Sequence, residues 1–239
     1  MLTSSEIKCN ISEINRRIAV AAQKSGRNPS DITLVAATKT MPSEIINQAI
    51  HCGITDIGEN RAQELVDKFP HVSGAKWHFI GRLQTNKVKY IIDKVSLIHS
   101  VDNIGLAQEI SRLARHVGKV QDILIQINIA GEECKGGVMP EEYNDFLCKV
   151  QLLDNIRLRG IMSIPPNHLC TRELTNLYER CKKILIDSRA KMLDNSANIN
   201  NASYLFDILS FGMSADYETA IECGANVVRI GSGIFGDRK

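Results

Sequence analysis

The sequence predicts an α/β protein built as a single (β/α)8 barrel (TIM barrel) with one extra helix at the N-terminus. Short apolar strand segments alternate with amphipathic helical segments, and eight strands are counted along the chain. The length of 239 residues is close to the roughly 250 residues of a typical barrel of this class. An open, doubly wound sheet is the alternative, but such sheets usually contain fewer strands. We therefore expect one domain that covers residues 1–239.

The extra helix is predicted from the first residues of the chain. Thr3 and Glu6 have the spacing of a capping box, which satisfies backbone N–H groups at a helix start. The apolar residues that follow keep the spacing of one helix face: Ile7, Ile11, Ile14 and Ile18. Because this helix precedes the first strand, we expect it to cover the flank or the bottom of the barrel.

The strands are predicted from apolar runs of the kind that is buried in parallel sheets. Six of them cover residues 31–39, 54–58, 76–80, 96–100, 123–129 and 156–162, and the last two begin near residues 209 and 227. Every strand but the last is followed by a clear helical pattern. Asp102 is the expected N-cap of the helix after the fourth strand.

Composition and charge exclude several classes of protein. The net charge is +2, and no basic run is dense enough to follow a nucleic-acid backbone. No stretch approaches about 18 consecutive apolar residues, so we expect no membrane segment. The seven cysteines are scattered without a C-x-x-C pair or a Cys/His metal motif, which predicts reduced thiols in a cytoplasmic protein.

Two loops near the end of the chain have the composition of an anion site. Gly212 and Ser214 follow the seventh strand, and Gly231 and Ser232 follow the eighth. Gly and Ser are favoured in ordinary turns as well. In barrels, however, the loops after strands 7 and 8 frequently bind phosphate, because small residues let backbone N–H groups approach an anion. The two loops therefore predict a phosphorylated ligand at the C-terminal mouth of the barrel.

Two basic side chains are predicted at the same mouth. Lys39 ends the first apolar strand, where partial burial favours the neutral amine that Schiff-base chemistry with an aldehyde requires. The alternative is that Lys39 extends into solvent at the strand end. Arg229 lies one residue inside the end of the eighth strand, where it either faces a ligand or forms a structural ion pair. Spacing alone leaves both questions open.

Three further features carry less weight. The pattern Gly231-x-Gly233-x-x-Gly236 matches a dinucleotide fingerprint, but too few residues follow it for a βαβ unit. His78 lies within the third strand, where a hydrogen-bonded wall residue is expected rather than a general base. Lys135 belongs to a Gly-rich loop and is either a solvated lysine or part of a lid over the mouth.

Six motifs spread over the whole chain together resemble one protein family. They comprise the Gly58-Glu59-Asn60 segment and residues 34–40, 77–87, 158–162, 209–216 and 228–236. In this combination and order, the sequence resembles the pyridoxal 5'-phosphate (PLP) homeostasis proteins, also called PLP-binding proteins. The resemblance implies a single-domain barrel similar to the N-terminal domain of alanine racemase.

The resemblance also implies how this chain would hold PLP. Lys39 takes the place of the family lysine that forms an internal aldimine with the cofactor's aldehyde. Ser214, Gly231 and Ser232 would hold the phosphate, and Met213 adjoins that loop.

Three more residues are implied to surround the pyridine ring. Arg229 would face the ring nitrogen, while Asn60 and Met162 would line the surroundings of the ring. A guanidinium cannot accept a proton from that nitrogen, so the ring stays unprotonated and is a weaker electron sink. The implied site therefore keeps the cofactor bound while blunting carbanion chemistry.

The function implied is that of a non-catalytic protein that buffers PLP and supplies it to PLP-dependent apo-enzymes. The rival is a PLP-dependent amino-acid racemase. Racemisation needs two bases on opposite faces of the substrate. The racemase that this chain resembles takes its second base, a tyrosine, through an additional domain and its dimer partner. A barrel enzyme acting on a sugar phosphate would use the same loops but leaves Lys39 unexplained. We expect a cytoplasmic monomer that binds PLP and neither nucleic acid nor membranes.

Overall fold

Eight parallel strands form a closed barrel in the described part of the chain. A computed structural model describes residues 2–132, 136–166, 169–195 and 206–236. Each strand pairs with the next one in the chain, and the first pairs with the last, so the sheet has no edge. The strands are β1 (Thr33–Ala37), β2 (Asp56–Glu59), β3 (Lys76–Phe79), β4 (Leu97–Val101), β5 (Gln121–Ile127), β6 (Ile156–Ser163), β7 (Ile208–Ser210) and β8 (Val227–Ile230). The predicted fold class is confirmed.

Helices follow the strands and surround the barrel. They are α1 (Ser4–Lys24), α2 (Ser43–His51), α3 (Ala62–Lys68), α4 (Val88–Ile91), α5 (Ile104–His116), α6 (Tyr143–Gln151), α7 (Thr171–Asn195), α8 (Tyr217–Glu222) and α9 (Ser232–Phe235). The last strand, after which the sequence shows no clear helical pattern, is followed directly by the short helix α9. A single helical turn is too short to show an apolar period in the sequence.

The extra N-terminal helix α1 covers the flank of the barrel. Its capping box is present, since the Thr3 hydroxyl accepts from the Glu6 N–H and the Glu6 carboxylate accepts from the Thr3 N–H at 2.7 Å. Its predicted apolar face is buried: Ile7, Ile11, Ile14 and Ile18. The helix packs against α2, α8 and α9, which places it on the side of the barrel where β1 pairs with β8.

Local boundaries differ from the predicted ones by a few residues. The N-cap of α5 is Asn103 rather than Asp102, because the Asn103 side chain accepts from the Leu106 N–H at 2.9 Å. β1 ends at Ala37, so Lys39 lies in the following turn instead of ending the strand. Hydrogen bonds of the turn, described below, cause this early end.

The strands separate two buried regions. Alternate side chains point outward and form an apolar layer against the helices, called here the outer layer; Ile57, Phe79 and Ile98 belong to it. The other side chains point into the barrel, here the interior, where Leu97, Leu124 and Met162 form a small apolar cluster. The interior also contains several buried polar side chains of the strands, among them four that lead toward the mouth: His78, His99, Ser210 and Arg229.

Three other predictions concern features of the described residues. None of the helices in these ranges is long and apolar enough to cross a membrane. The six cysteines within the described ranges are free thiols. Across the same ranges, no group of three or more His, Cys, Asp and Glu side chains is arranged to hold a metal ion.

Candidate functional site

A cavity of about 290 Å³ opens at the C-terminal mouth of the barrel. Its volume is at the lower end of the roughly 300–1,000 Å³ that small-molecule sites occupy. Residues that follow β1, β2, β7 and β8 contribute to its walls. Seven of the eight predicted site residues line it: Lys39, Asn60, Met213, Ser214, Arg229, Gly231 and Ser232. Residues distant in the sequence therefore meet in one site, as the convergence of strand ends requires.

The lysine of this site is held by a tight turn after β1. Thr38 is fully buried, and its N–H donates to the Gly58 carbonyl oxygen at 2.9 Å. The Met41 N–H donates back to the Thr38 oxygen at 3.0 Å and closes the turn. Thr40 takes a left-handed φ of 67° within it. Lys39 is half-buried between these two threonines and reaches the cavity.

A buried ionic cluster on β2 and α3 fixes this turn from below. Lys68 donates to Glu59 at 2.7 Å, to Glu64 at 3.2 Å and to the Thr38 carbonyl oxygen at 3.0 Å. Glu59 also accepts from the Thr38 hydroxyl at 2.7 Å, and Glu64 accepts from the Thr40 N–H at 2.9 Å. The residues on both sides of the lysine are thus tied to one cluster of charges, which sets the direction in which the lysine leaves the backbone.

Burial and hydrogen bonding have opposite effects on the pKa values of the two carboxyls in that cluster. Glu59 is fully buried, and its desolvation raises the pKa of the carboxyl even though Lys68 and Thr38 hydrogen-bond to it. Glu64 is less buried, and the hydrogen bonds from Thr40 and Lys68 outweigh its desolvation, so its pKa is lowered. Lys68 is shared between two carboxylates of unequal basicity.

The loops after β7 and β8 are joined to each other. Ser214 accepts from the Gly233 N–H at 3.2 Å, so one hydroxyl connects the two predicted anion-binding loops. Gly212 has a φ of 93°, and a Cβ at this position would lie 2.7 Å from the Cβ of Ala220. Only glycine lets the loop pass this close to α8.

The shape of the first of these loops is set by Asp216. Its carboxylate accepts from the Met213 N–H at 2.6 Å and from the Tyr178 hydroxyl at 2.6 Å. Tyr178 in turn stacks on Phe211, with ring centroids 4.6 Å apart. Burial and the neighbouring Asp216 raise the pKa of Tyr178, which keeps its proton on the hydroxyl as the donor to Asp216.

Arg229 forms the inner end of the cavity. Its Nη1 donates to the Ser210 carbonyl oxygen at 2.6 Å and to the Ser210 hydroxyl at 2.7 Å, and its Nη2 donates to the Ser163 carbonyl oxygen at 3.1 Å. Burial lowers the pKa of Arg229 to about 10, which leaves it protonated at neutral pH. The alternative of a structural ion pair fails in the described residues, because the partners of its guanidinium are neutral oxygens.

Asn60 offers a group that a ligand would satisfy. Its amide oxygen is buried and has no hydrogen-bond partner among the described residues. A buried acceptor without a donor costs about 1–3 kcal/mol. On the other side of the cavity floor, a Cβ at Gly231 would lie 3.3 Å from the Ala37 carbonyl oxygen, so the last loop lies directly against the end of β1.

One predicted residue lies elsewhere. Met162 is fully buried in the interior cluster with Leu97 and Leu124 and does not line the cavity. Its sulfur and methyl group fill the space inside the barrel, since β6 pairs with β7 in a register that turns Met162 inward. Lys135 lies outside the described residues.

Sequence reasoning missed several residues of the site. Phe235 and Met41 line the cavity. Their positions in the sequence could have indicated this, because Phe235 follows the predicted loop after the eighth strand and Met41 follows Lys39 closely. Glu59 stands beside Asn60 in a motif that was recognised, so its place near the site was visible but its ionic role was not. Lys68 gave no signal, because it is the last residue of a helix and its partners come from other elements.

Comparison with known proteins assigns the chain to a family. Residues 9–239 match the family model for the alanine racemase N-terminal domain. A pyridoxal phosphate homeostasis protein from Aquifex aeolicus is 42% identical over 231 residues, which cover 96% of this chain and 97% of that protein. The chain belongs to the pyridoxal phosphate homeostasis protein family.

Solved structures extend the comparison. PipY of Synechococcus elongatus, solved with PLP bound, has a TM-score of 0.76 and 28% identity; the match covers 92% of this chain and 100% of PipY. An alanine racemase from Clostridium difficile has a TM-score of 0.71 at 16% identity, over 98% of this chain and 57% of the racemase. The family barrel therefore has the same fold as part of a larger racemase chain.

Proposed function

We propose that this protein binds PLP in the cavity at the barrel mouth and serves as a carrier that buffers the cofactor. The observation that carries the proposal is the convergence of Lys39, Arg229 and the two Gly/Ser loops on one cavity. PLP has an aldehyde, a ring nitrogen and a phosphate, and this cavity presents a group suited to each of them. PipY, which is similar over its full length, was solved with PLP bound and supports the assignment.

The residues fit PLP in the following way. Lys39 would bind the aldehyde carbon covalently, and Ser214, Gly231 and Ser232 would hold the phosphate next to Met213.

Two more residues fit the ring. The buried amide oxygen of Asn60 would accept from a ligand donor, and Met162 would contribute to the surroundings of the ring from the interior cluster beneath the cavity. When bound, PLP supplies an electrophilic carbon and an electron-withdrawing ring. Arg229 has only N–H donors to offer that ring, so it stabilises an unprotonated nitrogen.

A carrier is a better fit to this cavity than a racemase. Racemisation requires a base on each face of the substrate α-carbon. Among the described residues that line the cavity, Lys39 is the only side chain able to act as a base. Relatives named as homeostasis proteins, such as the one from Aquifex aeolicus, point in the same direction. We further propose that residues 1–239 form one PLP-binding domain, a cytoplasmic monomer that passes PLP to apo-enzymes.

The proposal is tested by reduction of the PLP-loaded protein with borohydride, followed by peptide mass mapping. We expect a yellow protein that loses its colour on reduction and carries the reduced cofactor on Lys39. A Lys39→Ala protein should lose the trapped adduct completely, while Lys8→Ala, which removes an exposed lysine of α1, should trap as much as the wild type.

Other outcomes would replace the proposal. An adduct on another lysine contradicts the role of Lys39. A protein that stays colourless with added PLP favours the sugar-phosphate barrel. Interconversion of L- and D-alanine at ordinary enzyme rates, measured on the same loaded protein, favours the racemase.

A further inference from the structure

A chain of buried hydrogen bonds crosses the barrel and ends on Arg229. Asp56 Oδ1 lies 3.0 Å from His78 Nε2, and His78 Nδ1 lies 2.9 Å from His99 Nε2. His99 Nδ1 then lies 2.9 Å from the Ser210 hydroxyl oxygen, which is 2.7 Å from Arg229 Nη1. We call the first four residues the interior chain.

The interior chain lies beneath the cavity rather than in its wall. Of its members, His99 and Ser210 are fully buried, and His78 and Asp56 are exposed by only 5% and 7%. It connects β2, β3 and β4 with β7 on the far side of the barrel, so it spans the interior. Arg229 is the one group of this hydrogen-bonded series, within the described residues, that reaches the cavity.

Donors and acceptors assign every proton of the chain. An ionised Asp56 only accepts, so His78 carries a proton on Nε2 and accepts at Nδ1. His99 therefore donates from Nε2 and accepts at Nδ1, which the Ser210 hydroxyl satisfies. The Ser210 oxygen is left with lone pairs for Arg229, which only donates. The opposite polarity would leave the Ser210 proton without an acceptor in the described contacts.

The charges around the chain agree with this assignment. Burial, with further contributions from His78 and Arg229, lowers the pKa of His99 well below its usual value and keeps the ring neutral. Burial opposes the ionisation of Asp56, but hydrogen bonds from His78 and Thr55 outweigh it, and the pKa of Asp56 is lowered. The interior chain therefore begins at a carboxylate, Asp56, and its last member, Ser210, hydrogen-bonds to the protonated guanidinium of Arg229.

The interior chain supplies a side-chain partner to Arg229. Asp216, whose charge acts on Arg229, accepts from Met213 and Tyr178 instead. The remaining partners of the guanidinium are two backbone carbonyl oxygens. The Ser210 hydroxyl is the one side-chain acceptor of the guanidinium among the described contacts.

We propose that the interior chain is a positioning device for Arg229. Its polarity commits the Ser210 proton to His99, so that the Ser210 oxygen accepts from the guanidinium and never donates toward it. Asp56 thereby sets the orientation of a cavity side chain from the other side of the barrel. The consequence for ligand binding rests on the proposed function; the proton positions do not.

The proton positions are tested first, on the cofactor-free protein. Nitrogen-15 NMR of labelled histidine at neutral pH should show His78 and His99 neutral, each with its proton on Nε2. The His99→Phe protein assigns the signals. A proton on Nδ1 of His99 would overturn the proposal, whatever the protein binds.

The positioning effect is tested by titration with PLP. Ser210→Ala removes the hydroxyl, and we expect the affinity for PLP to fall about tenfold. This is the effect expected from the loss of one hydrogen bond to a charged group. Ser188→Ala, which removes an equally buried hydroxyl on α7, should stay within about twofold of the wild type. In Ser210→Ala protein, adding His99→Phe should weaken binding no further, because both act through one hydrogen bond.

The outcomes separate the two proposals. If the wild type binds PLP and Ser210→Ala binds equally well, or if the two substitutions weaken binding independently, the positioning role is wrong. If the wild type binds no PLP, the proposed function is wrong, while the NMR result decides the polarity of the chain independently. Thermal unfolding of each variant shows that a loss of binding is not a loss of the fold.

Discussion

The outer layer and the interior of the barrel are built from the same strands on opposite principles. On β3, Phe79 points outward into an apolar layer, and its neighbour His78 points inward to Asp56 and His99. On β4, Ile98 and His99 divide in the same way. Apolar packing tolerates many combinations of side chains of similar volume, whereas each buried polar group needs a specific partner.

This difference separates stability from function. The outer layer joins sheet and helices through nondirectional burial, which stabilises the barrel without fixing any single atom. In the interior, polar side chains replace part of the apolar surface, and their directional hydrogen bonds end on Arg229 at the cavity. One polar cluster lies on the helix side of the sheet, where Glu59 meets Lys68, and it too lies directly behind a cavity residue, Lys39.

The largest expected effect comes from a truncation in the outer layer. Phe79 is 1% exposed, and Phe79→Ala should lower the free energy of unfolding by about 3–5 kcal/mol through lost burial and a cavity. Urea denaturation measures this loss. Phe79→Leu, which keeps most of the volume, should lose only about 1 kcal/mol. Equal losses in the two variants would show that the outer layer is not packed as described.

The polar cluster beside the outer layer should be nearly as sensitive. Lys68→Met leaves the buried Glu59 without its cation, and we expect a loss of about 3 kcal/mol at pH 8. Without that cation the pKa of Glu59 rises further, so the folded protein binds a proton more readily than the unfolded chain. The loss should therefore shrink as the pH falls toward 5.

The matched control for that variant is a surface ion pair. Lys24 pairs with Glu222, and their side chains are 65% and 41% exposed. Lys24→Met should change the free energy of unfolding by no more than about 0.5 kcal/mol. If the Lys68→Met protein is no less stable than the Lys24→Met protein, the buried cluster contributes no more to stability than a surface ion pair does.

The smallest effect is a pH dependence that belongs to the interior. The pKa of His99 is lowered in the folded protein by burial, His78 and Arg229, so the unfolded chain takes up a proton that the folded protein does not. Stability should fall as the pH drops below the ordinary value of about 6.5, by at most about 1.4 kcal/mol per pH unit.

Removal of the ring tests this slope. His99→Phe should flatten the pH dependence of the free energy of unfolding between pH 7 and 5, measured by urea denaturation at each pH. His116→Gln, at an exposed position of α5, should leave the slope unchanged. A slope that is the same in all three proteins would mean that His99 is not the group that titrates.

Much of the fold and part of the site were predictable from the chain alone. The apolar face of α1 and the exit loops after β7 and β8 were located correctly, because period and loop composition are local properties. Asn103 replaced Asp102 as an N-cap because both are good caps and only the backbone geometry chooses between neighbours. The resemblance predicts Met162 in the surroundings of the ring; it lies in the interior cluster and does not line the cavity, so its place beside a ligand stays a prediction.

The sequence by itself determined the barrel, the order of its strands and the loops that form its mouth. The alternation of residues along each strand also determined which side chains face the helices. Only the tertiary structure decided which polar groups meet, since His99 and Ser210 are 111 residues apart. A hydrogen bond between them depends on closure of the barrel and on the register of all strands between them, which no local pattern encodes. Directional contacts across the barrel follow from its geometry, while apolar burial follows from the pattern of the chain.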